Sequence, residues 1–286
     1  MKTIVLTAIA VGGLIYSAIG TDSLDRGAEK AAFKARLDRA GVRYDLVDIE
    51  TNGVLRFYDS DGGLVDWGVF FPVAPSDKQL AGIARFQKAG GKCKLLMVET
   101  NGMWHLTTSG TGLSDLSCLQ GLPIESLDLT YTWVTNLAPL ARLPLKLLWI
   151  RGTRVSDLSP LRETPLVDLN ICDTPVKDLS PLTGMKLTSL DISRSKVTVL
   201  TPLKGMPLEQ LDISGTMARD VSMLKGMKLK YFFFTSANIT NGLDAIRSMK
   251  SLQGIGPASW EYSSPTEFWR KYDAGQFNTE KSKDKQ

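Results

Sequence analysis

The sequence has few of the residues on which enzyme and metal chemistry depend. Its 286 residues include one histidine, His105, and three cysteines, Cys93, Cys118 and Cys172. No nucleophile is paired with a base around His105, and no Cys/His spacing typical of a metal site occurs. There is also no glycine-rich phosphate loop of the kind that binds nucleotides. The sequence therefore predicts a protein that is not an enzyme and has no catalytic residues, metal ligands or cofactors.

An excess of charge of one sign is also lacking. The formal net charge is +4, and the lysines and arginines are scattered without a basic run. This pattern excludes nucleic acid as a predicted partner, because nucleic-acid binding needs a basic patch or stripe. The composition, with 43% hydrophobic and 22% charged residues, is ordinary for a folded protein, either as one elongated domain or as two compact ones.

Long apolar runs are limited to the start of the chain, where residues 3–20 carry no charge. Ala18 and Gly20 supply the small residues that a signal peptidase needs, and the run is also near the minimum length for spanning a bilayer. Residues 1–21 are therefore predicted to be a signal peptide or an uncleaved N-terminal membrane anchor. Both alternatives predict an exported protein, in the periplasm, cell envelope or medium, or one anchored to the inner membrane.

The cysteines leave two alternatives open. A disulfide between Cys93 and Cys118 would suit an exported protein, and unpaired buried thiols are the other alternative. The count of three is odd, and Cys172 lies at an outward-facing position of a predicted strand.

The main feature of the sequence is a 21-residue repeat between about residues 106 and 255. Residues 157–176 read DLSPLRETPLVDLNICDTPV, and residues 178–197 read DLSPLTGMKLTSLDISRSKV in the same frame. Each L-x-L pair suits a short strand with both apolar side chains facing inward, because strand side chains alternate between faces. The short period leaves little room for a helix on the convex side. We expect tight turns and 3₁₀ pieces there, begun by Asp157 and Asp178 as caps.

The phrase T-x-V-x-D-L-S-P-L resembles the short bacterial leucine-rich repeats, of which the internalin type is the best known. The resemblance covers about half of the chain and implies a curved α/β solenoid with short parallel strands whose concave sheet binds a protein. Threonine or serine replaces the usual ladder asparagine, and the repeat is one residue shorter. Because a hydroxyl has one donor where an amide has two, we expect fewer hydrogen bonds between turns.

The N-terminal third is predicted to contain two copies of a helix followed by a hairpin. Residues 48–53 and 97–102 match with an offset of 49, and each stretch ends in Asn-Gly, a strong hairpin signal. Residues 22–75 are predicted as a small α+β unit, and residues 76–110 as the N-terminal cap that a solenoid needs. The expected helices cover 24–40 and 77–89, and the expected strands cover 44–50, 54–58, 64–71, 92–99 and 103–108.

The repeats are predicted to cover residues 104–256, and a C-terminal cap residues 257–277. Ser264 and Pro265 should begin a helix that ends at Gly275 and covers the last repeat with an aromatic face. The polar residues 278–286 are predicted to be a disordered tail. Because both ends are capped, end-to-end stacking is not expected, and the protein is predicted to be a monomer.

The outward-facing strand positions form the predicted binding site on the concave face. Trp149 and Phe233 stand where the fold requires no apolar side chain, and exposed Trp, Tyr and Arg often dominate interfaces. The alternative is that Trp149 only packs over the neighbouring repeats. The predicted partner-binding residues are Tyr131, Leu147, Trp149, Arg151, Asp128, Asp168, Asn170, Asp191, Asp212, Tyr231 and Phe233.

The favoured function is non-catalytic binding of a protein or another envelope partner on this concave sheet. One alternative is a carbohydrate-binding protein or a glycan-acting enzyme that uses Asp168, Asp191 and Asp212, because neighbouring strands would place such carboxylates about 5 Å apart. The other alternative is a structural spacer without a specific ligand. The identity of a partner depends on the site and not on the scaffold.

Overall fold

The computed structural model describes residues 26–41, 47–49, 54–57, 67–70, 77–88, 95–98 and 103–277. The predicted signal peptide or anchor, Cys93, both Asn-Gly turns and the predicted tail lie outside the described residues. The chain divides into two compact units, Met1–Thr132 with Arg142–Pro144, and Trp133–Ala141 with Leu145–Gln286. Among the described residues, no helix combines the length and the apolar character needed to cross a membrane.

The first unit contains a helix followed by two antiparallel strands, twice in succession. Its elements are α1 Arg26–Ala40, β1 Val47–Ile49, β2 Val54–Phe57, β3 Trp67–Phe70, α2 Asp77–Lys88, β4 Leu95–Val98, β5 Trp104–Thr107 and β6 Ile124–Asp128. Along the chain, α1 is followed by the antiparallel strands β1 and β2, and α2 by the antiparallel strands β4 and β5. Strand β3 pairs antiparallel with β2 and parallel with β4.

Helix α2 packs on β5 through a close contact at a glycine. Leu80, Ile83 and Phe86 form its buried face, and the ring of Trp104 on β5 is fully buried. A Cβ atom on Gly82 would lie 3.1 Å from Trp104 Cζ2. Because this distance is tighter than an ordinary van der Waals contact, glycine lets the helix approach the indole ring.

The second unit contains short strands that follow one another in the sheet in chain order. Their middle residues align at intervals of 21, from Leu148 to Leu169, Leu190, Leu211 and Phe232. All five are at most 1% exposed, so the repeat frame predicted from the sequence is the frame of the core. The strands are β7 Leu147–Trp149, β8 Asp168–Asn170, β9 Ser189–Asp191, β10 Gln210–Asp212, β11 Tyr231–Phe233, β12 Gly254–Ala258 and β13 Glu261–Ser263. The predicted α/β solenoid of leucine-rich repeats is thereby confirmed.

The turns opposite the strands are 3₁₀ helices, as the short period predicts. Asp157 Oδ1 accepts a hydrogen bond from the backbone N–H of Ser159 at 2.8 Å, and Asp178 Oδ1 does the same for Ser180 at 2.8 Å. The predicted capping role of both aspartates is confirmed. The 3₁₀ helices of the second unit are Ala138–Leu140, Ser159–Leu161, Ser180–Leu182, Thr201–Leu203, Ser222–Leu224 and Ser236–Asn238.

The threonine column stabilises each turn locally. Thr153 Oγ1 donates to the carbonyl of Ile150 at 2.7 Å, and Thr174 Oγ1 donates to the carbonyl of Ile171 at 2.7 Å. A hydroxyl has a single donor, and here that donor bonds within its own turn. Contacts between turns come from the backbone instead, as in the bond from Ile171 N–H to the Asp191 carbonyl at 2.8 Å.

The C-terminal end departs from the 21-residue period. Phe232 aligns with Ile255, two residues beyond the period, and the short helix α3, Leu243–Arg247, lies in this longer repeat. Strand β13 then returns antiparallel to β12, which the sequence did not predict. Helix α4, Pro265–Asp273, follows with Ser264 as its N-cap, and its side chains Phe268 and Trp269 are buried.

Candidate interaction surface

The first and third residues of the strands in the second unit lie on the face of the sheet that the resemblance predicts to be concave, and we call it the concave face. The middle residue of each strand is buried, so its two neighbours face the opposite way. Asp212 and Phe233 are only 2% exposed, whereas the other predicted site residues of this unit are half-buried. These half-buried residues are Leu147, Trp149, Arg151, Asp168, Asn170, Asp191 and Tyr231.

Trp149 is held in place by the next strand. Its indole Nε1–H donates a hydrogen bond to Asp168 Oδ1 at 3.1 Å, and part of its surface stays exposed. One strand further, Asn170 Nδ2 donates to Asp191 Oδ2 at 3.0 Å. These bonds join the strands β7, β8 and β9 through their side chains, so this part of the face is fixed before any partner arrives.

Three carboxylates, those of Asp168, Asp191 and Asp212, continue along neighbouring strands. Burial raises the pKa of each of them above the usual range of an aspartate. For Asp212 the nearby charge of Asp191 adds to the effect of burial and raises the pKa to about 6, against the hydrogen bonds from Ser214. Negative charge in this column is therefore costly to the folded protein.

Two arginines lie beside the carboxylates. The positive charges of Arg151 and Arg194 both lower the pKa of Asp191, although burial outweighs them. The Arg194 guanidinium also donates a hydrogen bond to the buried sulfur of Cys172, with Nη2 3.3 Å from Sγ. Arg194 has a φ of 53°, a left-handed conformation that is uncommon for a residue with a side chain. The concave face thus combines acidic, basic and aromatic groups.

The three carboxylates lie on one side of one sheet. A glycosidase places its two carboxyl groups on either side of the scissile bond across a cleft, whereas Asp168, Asp191 and Asp212 lie in one column of one sheet. Both carboxylate oxygens of Asp191 already accept hydrogen bonds, from Asn170 and from the backbone of Ser193. In the part of the chain that the structure describes, no three His, Cys, Asp or Glu side chains are grouped to hold a metal ion.

Three exposed aromatic residues of the second unit were missed by sequence reasoning. Trp133 is 65% exposed, and the Arg154 guanidinium lies over its ring at 5.9 Å from the centroid. Trp260 and Tyr262 are 74% and 55% exposed. The exposure of Trp133 could have been predicted from its position in the repeat. The residues at this position in the following repeats are not of core types, and they are Arg154, Pro175 and Lys196.

The remaining two predicted site residues, Asp128 and Tyr131, belong to the first unit. Asp128 Oδ1 accepts a hydrogen bond from the backbone N–H of Thr130 at 2.8 Å. Tyr131 is 51% exposed and has a φ of 55°. Cys118, in the same unit, is a free and buried thiol, and burial raises its pKa to about 11.

No family model and no curated protein matches the sequence. The chain is similar to an internalin from Listeria monocytogenes, with 22% identity and a TM-score of 0.49 over 63% of this chain and 50% of that one. Internalin C2 from the same organism shows 20% identity and a TM-score of 0.45, over 53% and 79% of the two chains. A leucine-rich repeat protein from Leptospira interrogans shows 17% identity and a TM-score of 0.31, over 69% and 66%. This chain thus spans half the length of the first internalin, and its own strand register shows that it is a solenoid of leucine-rich repeats.

Proposed function

We propose that this chain is a non-catalytic, exported leucine-rich repeat protein that binds another protein on the concave face of its second unit. The observation that carries the proposal is the environment of Trp149. A half-buried tryptophan stands on β7, the first strand of this face, with Leu147 beside it and Arg151 following it. Tryptophan and arginine are the residues most enriched among those that dominate binding energy.

The hydrogen bonds on the face support this proposal. Because Asp168 fixes the indole of Trp149 and Asn170 is bonded to Asp191, these side chains lose little further conformational freedom when a partner binds. Ordering an interface side chain costs about 0.5–1.5 kcal/mol when it is free to begin with. A face that is already ordered therefore binds more tightly for the same contacts.

The uncharged run at residues 3–20 supports export. A cleaved signal peptide or an uncleaved anchor would both bring the repeats into contact with components of the cell envelope. We therefore place the partner in the envelope or outside the cell. A protein partner is favoured because the face carries both signs of charge beside the aromatic side chain of Trp149.

The test is capture of a partner by the tagged full chain from envelope fractions, with Trp149→Ala/Arg151→Glu as the variant. We expect loss of the partner, because removing a hot-spot residue costs about 2 kcal/mol or more, which corresponds to about thirtyfold in affinity. Titration calorimetry with the identified partner measures this change.

The matched control is Trp133→Ala/Arg154→Glu, which changes the same residue types on the loops beside the sheet of the same unit. This control should bind as the unchanged protein does. Equal binding by both variants would contradict the concave face as the site, and loss of binding by the control alone would move the site to the loops.

A further inference from the structure

The C-terminal hairpin of β12 and β13 folds back over the concave face. Gly254 and Gly256 of β12 align with Tyr231 and Phe233 of β11. A Cβ atom on Gly256 would lie 2.2 Å from the Glu261 carbonyl oxygen, and a Cβ atom on Gly254 would lie 2.8 Å from the Tyr231 ring. The returning strand therefore occupies the space that side chains of β12 would fill.

This return brings Tyr262 over the last repeat. Its ring centroid lies 5.9 Å from that of Tyr231 at an angle of 79°, and 5.9 Å from that of Phe233 at 58°. Tyr262 is 55% exposed and Trp260 is 74% exposed. We call Tyr231, Phe233 and Tyr262 the aromatic wall. The face of an aromatic ring carries the negative side of its quadrupole.

The aromatic wall stands directly beside the buried carboxylates. Asp212 aligns with Phe233 on one side and with Asp191 on the other. Burial has the largest effect on the pKa of Asp212. Among charged groups, Asp191 raises this pKa and Arg194 lowers it. The other charged or titratable groups on the adjoining strands β11 and β13 are the phenols of Tyr231 and Tyr262 and the carboxylate of Glu261.

We propose that the rings of Tyr231 and Tyr262 receive a lysine or arginine side chain of the protein partner, and that the negative charges of Asp212 and Asp191 favour this cation from the neighbouring strands. The proposal rests on the proposed function and adds the chemistry of the partner. Ring faces attract cations, more strongly where water is excluded. Asp212 lies one strand, about 5 Å, from β11, and Asp191 lies one strand further, so both carboxylates add charge attraction. The positive charge of Arg194 lowers the pKa of both carboxylates without outweighing burial, so a cation of the partner supplies compensation that an uncharged group does not.

The test measures binding of a short acetylated Gly-Arg-Gly-Arg-Gly amide to the full chain by titration calorimetry and NMR. The matched probe replaces arginine with citrulline, which has nearly the same shape and no charge. We expect the arginine peptide to bind at least about tenfold more tightly, which is the size of a partly desolvated cation–π contact. Equal binding of both peptides would overturn the proposal, and so would the absence of binding by either.

Variants of Tyr262 separate ring chemistry from general packing. Tyr262→Phe keeps the ring face and should keep the affinity, whereas Tyr262→Leu should lower it about tenfold. Trp133→Leu, at an exposed aromatic residue outside the wall, should leave it unchanged. Because Tyr262 is exposed, its replacement should not unfold the protein, and near-ultraviolet circular dichroism checks this. Full affinity in Tyr262→Leu would contradict the proposal.

The protonation of Asp212 gives a second measurement. Because burial and Asp191 raise the pKa of Asp212 to about 6, affinity for the arginine peptide should fall as the pH falls through this value. Asp212→Asn should lose this pH dependence. A partner that is lost by Trp149→Ala/Arg151→Glu but binds Tyr262→Leu with full affinity would leave the proposed function standing and remove this inference alone.

Discussion

At the scale of single residues, most of the turns opposite the strands begin with one side-chain acceptor. The acceptor stands two residues before the N–H that it caps, in the bonds of Asp157 to Ser159, Asp178 to Ser180 and Asp220 to Ser222. Asn136 does the same for Ala138 at 2.9 Å. Val199 occupies this position in the remaining repeat and is 56% exposed. One turn therefore begins without the cap that the others have.

Val199→Asn should stabilise the protein, because it supplies the missing acceptor to the backbone N–H of Thr201. Asn136 shows that asparagine fits this position. The expected gain in the free energy of unfolding is about 0.5–1 kcal/mol, at the lower end of the range for helix caps. Chemical denaturation measures it, with Val199→Ala as the control that removes the valine without adding an acceptor. Equal stability of the two variants would show that the cap contributes nothing here.

At the scale of elements, the C-terminal hairpin depends on glycine in β12. The conformation of Gly256 is not left-handed, so its role is to leave room for the Glu261 carbonyl and the Tyr262 backbone. Gly184 is the contrasting case, because it has a φ of 78° and a Cβ atom added to it would meet no other atom within 4 Å. One glycine is required for close approach of two strands, and the other for the conformation of a turn.

Gly256→Ala should displace strand β13 and lower the free energy of unfolding by about 1–3 kcal/mol, the usual cost of overpacking. The displacement should also change the environment of Trp260 and Tyr262, which near-ultraviolet circular dichroism reports. Gly184→Ala should cost about 1 kcal/mol through its backbone conformation and leave that spectrum unchanged. The hairpin does not depend on Gly256 if the two spectra are indistinguishable.

At the scale of the whole molecule, two sets of aspartates respond to pH in opposite ways. Hydrogen bonds from the following serine lower the pKa of the capping residues Asp157 and Asp178. Their contribution to stability is present above the pKa of the unfolded chain and is lost as the pH falls below about 4. Burial raises the pKa of Asp212 to about 6, so Asp212 changes the stability of the protein at higher pH than the capping aspartates do.

Stability should therefore decrease as the pH rises from about 4 to about 6, because the unfolded chain releases the Asp212 proton more readily than the folded protein does. Asp212→Asn should weaken this dependence and stabilise the protein at neutral pH, on the order of 2 kcal/mol. Its amide oxygen can still accept the hydrogen bonds that Ser214 now donates to Oδ1. Denaturation midpoints between pH 4 and 7 check this, with Asp178→Asn as the control at an aspartate outside the column of Asp168, Asp191 and Asp212. An unchanged pH profile in Asp212→Asn would show that Asp212 titrates normally.

The repeat frame, the core positions and the caps of the turns follow from the order of the residues alone. Leu148, Leu169 and Leu190 recur at one fixed spacing, and burial of such a column against its copies is favourable in only one register. The capping of Ser159 by Asp157 was also predictable, because it involves residues close together in the chain. Interactions of this kind depend on the number of residues between the two partners, which can be counted in the sequence.

Which outward side chains a partner can reach depends on the packing of strands that are distant in the sequence. Asp212 and Phe233 occupy outward positions by period, yet both are buried by neighbours from other strands and by the returning hairpin. Tyr262 lies beyond the last period and becomes part of the face because β13 returns beside β12 and brings its ring against Tyr231 and Phe233. Burial of an outward side chain depends on groups that are distant in sequence and close in space, so no repeat pattern reports it.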